Sequence, residues 1–512
     1  MGARARRHRR LAESVGRVSA VTQNMLEAAM ADHRRGDLVG AERGYRAILA
    51  LQPQHPDALH LLGRIHGDRG ELQEAIELIG RALKALPKFP DAHHNLSTYL
   101  IRDGKFADAE RHLRSVLKLQ PQNARAESDL GGVLLQLRRY KDAAASFDKA
   151  LQHDPTLATA LINTVTVREI EGRFDEVIPA YDKLLARDPE NATAHYYRAL
   201  SLLARERFSE GWAEYVWRWR RADTAAKHGV FPLPYWAGEP LDGVRVLVWT
   251  EQGPGDEILI ASMLPDLLAR GAAVSLLCSE RMTPLFRRSF PTITVIDTID
   301  GVTPDAFRFQ ISLSELGRHL RPTRESFGTS RAILQADPTH RDALRAQYRG
   351  DSNSPLVGIS WRSRAVGVEG EKSQPLATWE PVLRTPGVRF VCLQYGDCAA
   401  EIRDAEQRFG IQILHDPAID PLKDLDAFAA QVAAMDLVIS VSNTTVHVAG
   451  GLGLPTWVMV PAARGRIWYW FLNRVDSPWY PGVRLVRQRH AGDWSPAIQD
   501  VAARLREWAG AP

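Results

Sequence analysis

A strict repeat of 34 residues is the feature that most constrains the fold of this chain. Proline recurs once in each period, at Pro53, Pro87, Pro121, Pro155 and Pro189. Glycine keeps the same step at Gly36, Gly70, Gly104 and Gly172, with Arg138 in the gap, and alanine does so at Ala41, Ala75, Ala109 and Ala143. Glycine ends a helix, alanine lets two helices approach closely, and proline cannot continue a helix. Each period therefore predicts one pair of helices.

The period and its residue types resemble the tetratricopeptide repeat. Five full repeats and a divergent sixth predict an all-α solenoid over residues 22–225. Stacked repeats form a concave groove that binds extended peptides or partner helices. Asn95, Asp129 and Asn163 share one register on three successive first helices, where their side chains could bind the backbone of a protein acceptor. Solvated polar residues on helix faces are the alternative reading of the same three positions.

The sixth repeat is crowded with aromatic residues, in the stretch GWAEYVWRWRR that begins at Gly211. A terminal repeat needs an atypical outer face, so we expect these rings to pack on the following domain rather than to stack nucleobases. The stretch FPLPYWAGEPLDG is rich in proline and glycine and predicts a linker, assigned to 226–243. The basic start, MGARARRHRR, predicts a disordered arm over 1–21.

Composition narrows the classes of protein and partner. A net charge of +4 over 512 residues does not demand a nucleic-acid partner. No apolar run reaches the length of a membrane helix, and no apolar segment follows the basic start as it would in a secretory signal. The three cysteines form no CxxC pair and predict reduced thiols. We therefore expect a cytoplasmic protein without a transmembrane segment.

Beyond residue 243 the pattern changes to alternating apolar strands and helical segments. A first set of strands is expected at VRVLVW, AAVSLLC, ITVID and FRFQISL, and a second at PLVGISW, VRFVCLQYG, IQILH, LVISVS and PTWVMV. ILIASMLPDLLARG is expected to form one helix, and residues 331–354 a polar connector. Such alternation predicts parallel sheets covered by helices. Two α/β lobes, 244–345 and 346–512, are expected to face a cleft.

The stretch Leu437–Val460 predicts a strand, a polar turn, a short helix that stops at its glycines, and a second strand. Asn443, Thr444 and Thr445 offer helix-capping side chains, and His447 falls in the first turn of the helix. Free N–H groups at a helix start, with hydroxyls beside them, form an anion site typical of phosphate binding. An ordinary strand-to-helix turn with good capping residues is the alternative, and His447 could equally be a packed histidine.

The turn after the first strand, EQGPGDEI, holds Gly255 and Asp256. Ile258 stands where a dinucleotide fingerprint needs its third glycine, which disfavours an NAD enzyme. Asp256 could act in the cleft as a general base on a hydroxyl acceptor, or it could be a turn residue. Lys372, in a polar loop of the second lobe, could reach a diphosphate or could be a solvated surface charge.

The EQGPGD turn, VGISW, the block LVISVSNTTVHVAGGLGLPTWV and SPWYPGVRLVRQ together resemble bacterial tetratricopeptide proteins that carry a heptosyltransferase-like domain of glycosyltransferase family 9. The resemblance implies a GT-B fold of two Rossmann-like lobes and an inverting sugar transfer from a nucleotide-sugar co-substrate, without a required metal. It implies that Asp256, after Gly255, is the base. It matches Asn443, Thr444 and His447 to the donor block, where the family usually has aspartate at the first position, and matches Lys372 to the donor-loop lysine.

Two classes of function remain open on the sequence. The first is a glycosyltransferase whose repeats present a protein acceptor. The second is a non-catalytic tetratricopeptide scaffold with a degenerate transferase domain. The Gly255-Asp256 turn together with Thr444, Thr445 and His447 favours the enzyme, whereas Asn443 favours the scaffold.

Overall fold

The computed structural model describes residues 21–221, 224–225, 231–298, 303–328, 331–364, 369–462 and 467–510. The predicted basic arm, apart from residue 21, and residues 226–230 of the predicted linker lie outside these ranges. The chain forms two compact units, Met1–Val167 and Arg168–Pro512. The division falls inside the fifth repeat, so the last repeats belong to the same unit as the sheets.

Among the described residues, the first unit consists of four helix pairs, one pair to each 34-residue period as the repeat predicts, and of most of a ninth helix that crosses the boundary after Val167. They are α1 (21–34), α2 (Leu38–Leu51), α3 (Pro56–Asp68), α4 (Leu72–Ala85), α5 (Pro90–Arg102), α6 (Phe106–Leu119), α7 (Ala124–Gln136), α8 (Tyr140–His153) and α9 (Ala158–Ile170). The second helices of the first four repeats carry alanine at the same register. These alanines, Ala41, Ala75, Ala109 and Ala143, are fully buried. A larger side chain there would push the paired helices apart.

A left-handed residue closes the first helix of each pair. The glycines of the sequence pattern adopt it, with φ of 83° at Gly36, 89° at Gly70, 74° at Gly104 and 75° at Gly172. Arg138 and Glu206 take the same conformation, with φ of 58° and 60°, although neither is a glycine. The gap in the glycine series is therefore a change of residue and not of backbone. The left-handed conformation costs a residue with a Cβ about 1–2 kcal/mol, so Arg138 and Glu206 reduce the stability of their loops by about this amount.

The second unit begins with the remaining repeat helices and continues into an α/β region. The repeat helices are α10 (Val177–Leu185), α11 (Ala192–Ala204) and α12 (Phe208–Tyr215). The strands are β1 (Arg245–Trp249), β2 (Ala273–Leu277), β3 (Thr294–Ile296), β4 (Phe309–Ser312), β5 (Leu356–Ser360), β6 (Arg389–Cys392), β7 (Ile413–Leu414), β8 (Leu437–Val441), β9 (Thr456–Val460) and β10 (Val483–Arg487). Their helices are α13 (Pro254–Ala261), α14 (Leu264–Leu268), α15 (Thr283–Ser289), α16 (Leu316–Leu320), α17 (Pro338–Arg349), α18 (Glu369–Lys372), α19 (Glu380–Leu383), α20 (Ala399–Phe409), α21 (Leu425–Ala433), α22 (Thr444–Gly451) and α23 (Ser495–Trp508).

Within the described residues these strands form two parallel sheets, ordered β3-β2-β1-β4 and β10-β9-β8-β5-β6-β7. The nine expected strands are present. The edge strand β10 was not expected. The segment 254–268 forms two helices rather than one, because Pro265 opens α14. The expected connector holds α17, whose first turn is capped by Asp337 through the backbone N–H of His340 at 2.9 Å.

The described part of the predicted linker is packed structure and not a free spacer. Trp236 is 2% exposed, and its backbone N–H donates to the carbonyl of Gln310 on β4 at 2.9 Å. The buried Gln310 side chain donates to the carbonyls of Phe231 and Leu233, both at 2.9 Å, and accepts from the indole N–H of Trp249 at 3.0 Å. All the hydrogen-bonding positions of this buried amide except one lone pair are thus used, which fixes the segment to the sheet edge.

The aromatic residues of the sixth repeat pack on the first sheet region, as expected. The indole of Trp212 donates to the carbonyl of Arg321 at 2.9 Å, and a Cβ added to Gly317 would lie 2.3 Å from its ring. Arg218 forms an ion pair of 3.0 Å with Glu251, the second residue after β1, with both side chains below a tenth exposed. The terminal repeat and the sheet therefore share one core.

We expect Arg138→Gly to raise the free energy of unfolding of the first unit by about 0.5–1 kcal/mol, because glycine adopts the left-handed backbone without a steric cost. Gly104→Ala, at the same register, is the matched control and should lower it. All 13 tryptophans lie beyond residue 211 and so in the second unit. In urea titrations the circular-dichroism transition should shift while the tryptophan-fluorescence transition stays in place. An unchanged dichroism transition would show that the loop bears no strain.

Candidate functional site

A cavity of about 440 Å³ opens where two helices of the second unit begin. Helix α13 follows β1 of the four-stranded sheet, and α22 follows β8 of the six-stranded sheet. The first turns of both helices line the cavity, together with Lys372 at the end of α18 and Tyr469 in the loop before β10. The carboxyl ends of parallel strands are where α/β sheets bind their ligands.

Asn443 caps α22 and is fully occupied by neighbours within the chain. Its carbonyl oxygen accepts from the N–H of Thr445 at 3.0 Å and from the hydroxyl of Ser440 at 3.2 Å. Its amide N–H₂ donates to the hydroxyl of Ser360 at 2.7 Å and to the carbonyl of Arg362 at 2.9 Å. Asn443 also lines the cavity, and its expected contact with a donor stays a prediction. An ionised aspartate cannot donate, so the Arg362 carbonyl would face it unpaired.

Thr445 has a buried hydroxyl without a partner among the described residues. Its side chain is fully buried and lines the cavity, and its hydroxyl makes no hydrogen bond to any residue that the structure describes. A buried hydroxyl without a partner costs on the order of 1–3 kcal/mol. The hydroxyl stands at the amino end of a helix, where free N–H groups and the helix dipole favour an anion. Thr444, half-buried, lines the same cavity.

His447 is a packed, neutral histidine that also lines the cavity, and its expected contact with phosphate stays a prediction. Its Nδ1 lies 3.0 Å from the hydroxyl of Tyr480 and its Nε2 lies 3.2 Å from the hydroxyl of Tyr469. The ring also stacks on Trp470 at 5.5 Å between centroids. Burial, followed by the charge of Lys372, lowers its pKa to about 3. Both ring nitrogens are thus engaged by tyrosines.

Asp256 lies in the first turn of α13, half-buried in the cavity wall. Desolvation raises the pKa of its carboxyl, and this is opposed by a hydrogen bond from Tyr469 and by the charge of Lys372. Gly255 allows the approach that creates this arrangement, since a Cβ there would lie 2.8 Å from Cδ2 of His447. Its role is close helix packing beside the cavity.

The hydrogen bonds around Asp256 have one consistent direction. If the carboxylate is ionised, Tyr469 must donate to it, so the Tyr469 oxygen accepts from Nε2–H of His447. Nδ1 of this neutral imidazole then accepts from the hydroxyl of Tyr480. The chain of donors runs from Tyr480 through His447 and Tyr469 to Asp256, and it fixes both the tautomer of the histidine and the orientation of the carboxylate.

Lys372 is buried, at 3% exposure, and is not a surface charge. Burial lowers the pKa of its ammonium group to about 8, and the charge of Asp256 opposes the shift. Arg281 and Arg364 also line the cavity. Three cations against the one carboxylate of Asp256 give the lining an excess of positive charge, which favours an anionic ligand.

Tyr469 and Tyr480 were not singled out from the sequence, although Tyr480 lies in the SPWYPG stretch. The loop that carries Tyr469 is held by Arg487, which donates to the carbonyls of Trp470 and Phe471 at 2.6 and 2.9 Å. Phe471 has φ of 49°, an uncommon conformation for a bulky residue. Such local strain is tolerated where the surroundings fix the chain, and it concentrates at functional sites.

A second cavity, of about 290 Å³, reaches Asp256 from the side of the terminal repeat. Its lining includes Tyr196, Trp219 and Arg221 from the repeat, and Gln252 and Asp256 from the turn after β1. The hydroxyl of Tyr215 accepts from Gln252 at 3.0 Å, which joins the two walls. Asp256 is thus shared by two cavities of different character.

The expected groove residues lie on their predicted helices but are not a free row. The amide nitrogen of Asn95 is 2.8 Å from Nε2 of His60, and the carboxylate of Asp129 is 2.8 Å from Nε2 of His94. Both bonds tie a repeat to the one before it, and peptide binding at these two positions stays a prediction. Asn163 is half-buried, and no hydrogen bond of its side chain occurs among the described residues.

Comparison with known families identifies tetratricopeptide repeats in this chain. Two family models described as tetratricopeptide repeat match residues 33–97, 94–158 and 171–226. Repeats of this kind indicate protein partners. Within the described ranges, none of the helices combines the length and the hydropathy that a membrane crossing requires.

Protein FlbA of Caulobacter vibrioides is a curated relative, 38% identical over 329 residues. The match covers 61% of this chain and 54% of the relative, so the chain spans about half the length of that protein. Among solved structures, a tetratricopeptide repeat protein from Parabacteroides merdae is 22% identical, with a TM-score of 0.33, over 40% of this chain and 76% of that one. TTC0263 from Thermus thermophilus is 24% identical, with a TM-score of 0.29, and the match covers 36% of this chain and 99% of that one.

We expect Asn443→Asp to lower the free energy of unfolding of the second unit by about 2–4 kcal/mol near pH 7, because two buried acceptors lose their donor. Asn123→Asp is the matched control, since Asn123 caps α7 through the N–H of Ala126 at 2.9 Å on an exposed surface. Aspartate caps as well as asparagine there, so stability should change little. Unfolding followed by tryptophan fluorescence measures the stability of Asn443→Asp, and unfolding followed by circular dichroism measures that of Asn123→Asp. Equal, small effects would mean that the chain tolerates aspartate at Asn443.

Proposed function

We propose that this chain is an inverting glycosyltransferase that moves a sugar from a nucleotide-sugar donor to a hydroxyl group, with a protein as the acceptor class. The observation that carries the proposal is the unpartnered, buried hydroxyl of Thr445 at the amino end of α22, in a cavity that also holds Lys372 and Asp256. The two parallel sheets are interpreted as the lobes of a GT-B fold of the family 9 type.

The donor cavity suits a nucleoside diphosphate in charge and in lining. The diphosphate lies at the first turn of α22, within reach of the hydroxyl groups of Thr444 and Thr445 and of the ammonium group of Lys372. Leu425 and Phe428 of α21 provide an apolar wall for the nucleobase. A volume of about 440 Å³ lies within the range of cofactor and small-molecule sites.

The reaction needs a base on the side of the sugar opposite to the leaving diphosphate. The acceptor oxygen forms a bond to the anomeric carbon while the bond from that carbon to the phosphate oxygen breaks. The acceptor proton passes to Asp256, and the nucleoside diphosphate leaves with the bonding electrons. Attack from the opposite face inverts the anomeric configuration. Lys372 and the start of α22 stabilise the charge that develops on the diphosphate.

The acceptor side is assigned to the second cavity, since it meets the donor cavity at Asp256. Its aromatic rings and its arginines come from the terminal tetratricopeptide repeat, so an acceptor that occupies it also contacts that repeat. A small-molecule acceptor would leave the other repeats without a role in the transfer. This continuity supports a polypeptide whose side-chain hydroxyl enters beside Asp256.

The donor site predicts specific binding of nucleoside diphosphates. Thr445→Val should weaken binding by about 1–3 kcal/mol, because one hydrogen bond to a charged group is lost. Thr456→Val is the control, since Thr456 is equally buried but bonds the carbonyl of Leu454 at 2.9 Å outside the cavity. Isothermal calorimetry with a set of nucleoside diphosphates measures both. Equal affinity of the two variants and the parent chain would refute the site.

The same titration should depend on pH through Lys372. Its pKa of about 8 in the free protein means that the ammonium charge is lost as the pH rises through 8. Affinity should therefore fall above that pH, by up to about tenfold per unit, since only the protonated form attracts the diphosphate. Lys372→Gln should bind more weakly and lose this dependence.

Asp256→Asn should reduce turnover by roughly 10²–10⁴-fold, the usual cost of a lost general base, while nucleotide binding persists. Glu257→Gln is the matched control, because this neighbouring carboxyl is buried, has its pKa raised to about 7 by desolvation, and does not line either cavity. The measurement is the release of nucleoside diphosphate from each of a panel of nucleotide sugars, with cell protein added as the source of acceptor. Loss of turnover in both variants alike would assign Asp256 a structural role.

The second candidate function is a nucleotide-binding scaffold without turnover. The hydrogen-bonded asparagine at position 443, where transferases of family 9 usually have aspartate, favours it. If the chain binds nucleoside diphosphates tightly but releases none from any nucleotide sugar, the scaffold function is correct and the enzyme function is wrong.

A further inference from the structure

Three side chains of metal-binding type converge at the carboxyl edge of the six-stranded sheet, and none of them lines the donor cavity. Cys392 is the last residue of β6, Cys398 precedes the first residue of α20, and His415 follows β7 directly. Their ligand atoms all lie within 4.8 Å of one another. The two sulfurs are 3.6 Å apart, and the sulfur of Cys398 is 3.8 Å from Nε2 of His415.

These separations match those around a tetrahedral zinc ion. With Zn–S bonds of about 2.3 Å and Zn–N bonds of about 2.0–2.1 Å, tetrahedral angles place two sulfurs about 3.8 Å apart and a sulfur and a nitrogen about 3.6 Å apart. The two distances given above each deviate from these values by about 0.2 Å, and the third pair of ligand atoms lies within 4.8 Å. The cysteines are buried and the histidine is exposed, so the fourth position of such an ion faces the solvent side.

We propose that Cys392, Cys398 and His415 bind one divalent zinc ion, with the fourth position taken by water. Thiolate and imidazole are the ligands that zinc prefers over magnesium or calcium. Binding replaces the thiol protons, which pass to the solvent, so no oxidant or reductant is required. The ion joins the end of β6, the start of α20 and the end of β7.

The surroundings would connect such an ion to the turn before α22. Arg362 donates to the carbonyl of Asp397 at 2.8 Å and forms an ion pair of 2.8 Å with Glu401, on either side of Cys398. The carbonyl of the same Arg362 accepts from Asn443. A metal at the cysteine cluster would therefore brace the loop that supports the cap of α22, independently of whether the cavity binds a nucleotide sugar.

The test uses the full chain, reduced and stripped of metal, and then reconstituted with Zn²⁺ or Co²⁺. About one ion should bind per chain, and the Co²⁺ form should show a near-ultraviolet thiolate-to-metal band and the visible bands of a tetrahedral site. His415→Gln, on the surface, should keep the fold and weaken binding by about 100-fold or more, since even an outer partner of a ligand is worth 10–100-fold. Cys398→Ser should abolish the thiolate band or reduce it by half.

Cys278→Ser is the control, because Cys278 is equally buried but lies outside the cluster. This variant should bind one ion with unchanged spectra. Binding by His415→Gln and Cys398→Ser that equals the parent chain would overturn the proposal, as would failure of the reduced parent chain to bind either ion. A Cys392–Cys398 disulfide that forms in air and persists in the presence of Zn²⁺, seen as the loss of two hydrogen atoms by mass spectrometry, would replace it with a redox pair.

Discussion

The close packing of α13 against α22 is the contact on which the candidate site depends. Gly255 of α13 lies so near His447 of α22 that a methyl group would meet the ring at 2.8 Å. Gly451, at the other end of α22, faces Ile258 with 3.2 Å to a hypothetical Cβ. Gly255 thus lets the first turns of two helices from different sheets approach, and Gly451 allows close packing at the other end of α22. Without that approach, Asp256 and Thr445 would not line one cavity.

The terminal repeat also positions the turn that holds Asp256. Its Arg218 forms a buried ion pair with Glu251, which belongs to that turn. A buried ion pair gains little net stability, since desolvation offsets the attraction, but removal of one partner is costly. Arg218 also lies 4.1 Å from the ring centroid of Trp219, which stabilises the cation further. The pair therefore fixes the position of the repeat relative to the turn, and with it the second cavity.

The period of the sequence predicted the helical repeats and the alternation of apolar runs predicted nine parallel strands, because both signals are local. Arg138 occupies the position at which the other repeats have a left-handed glycine, but arginine as a residue type does not indicate a left-handed backbone. The packed linker depends on one buried glutamine, Gln310, whose partners are distant in sequence and could not be inferred. The engagement of His447 likewise depends on Tyr469 and Tyr480, from two loops that carry no periodic signal. Asn443 was recognised as a cap, but its two donated bonds required the neighbouring strand.

The balance of forces on Asp256 implies an order for the proposed reaction. Desolvation raises the pKa of this carboxyl, while Lys372 and Tyr469 lower it. A bound diphosphate takes over the positive charge of Lys372 and brings negative charge of its own into the cavity. Both effects raise the pKa of Asp256 further, because a like charge disfavours the ionised form and a lost counter-charge no longer supports it. The carboxylate is thus the stronger base once the donor is in place, which favours proton removal from the acceptor in the complete complex over the donor-free protein.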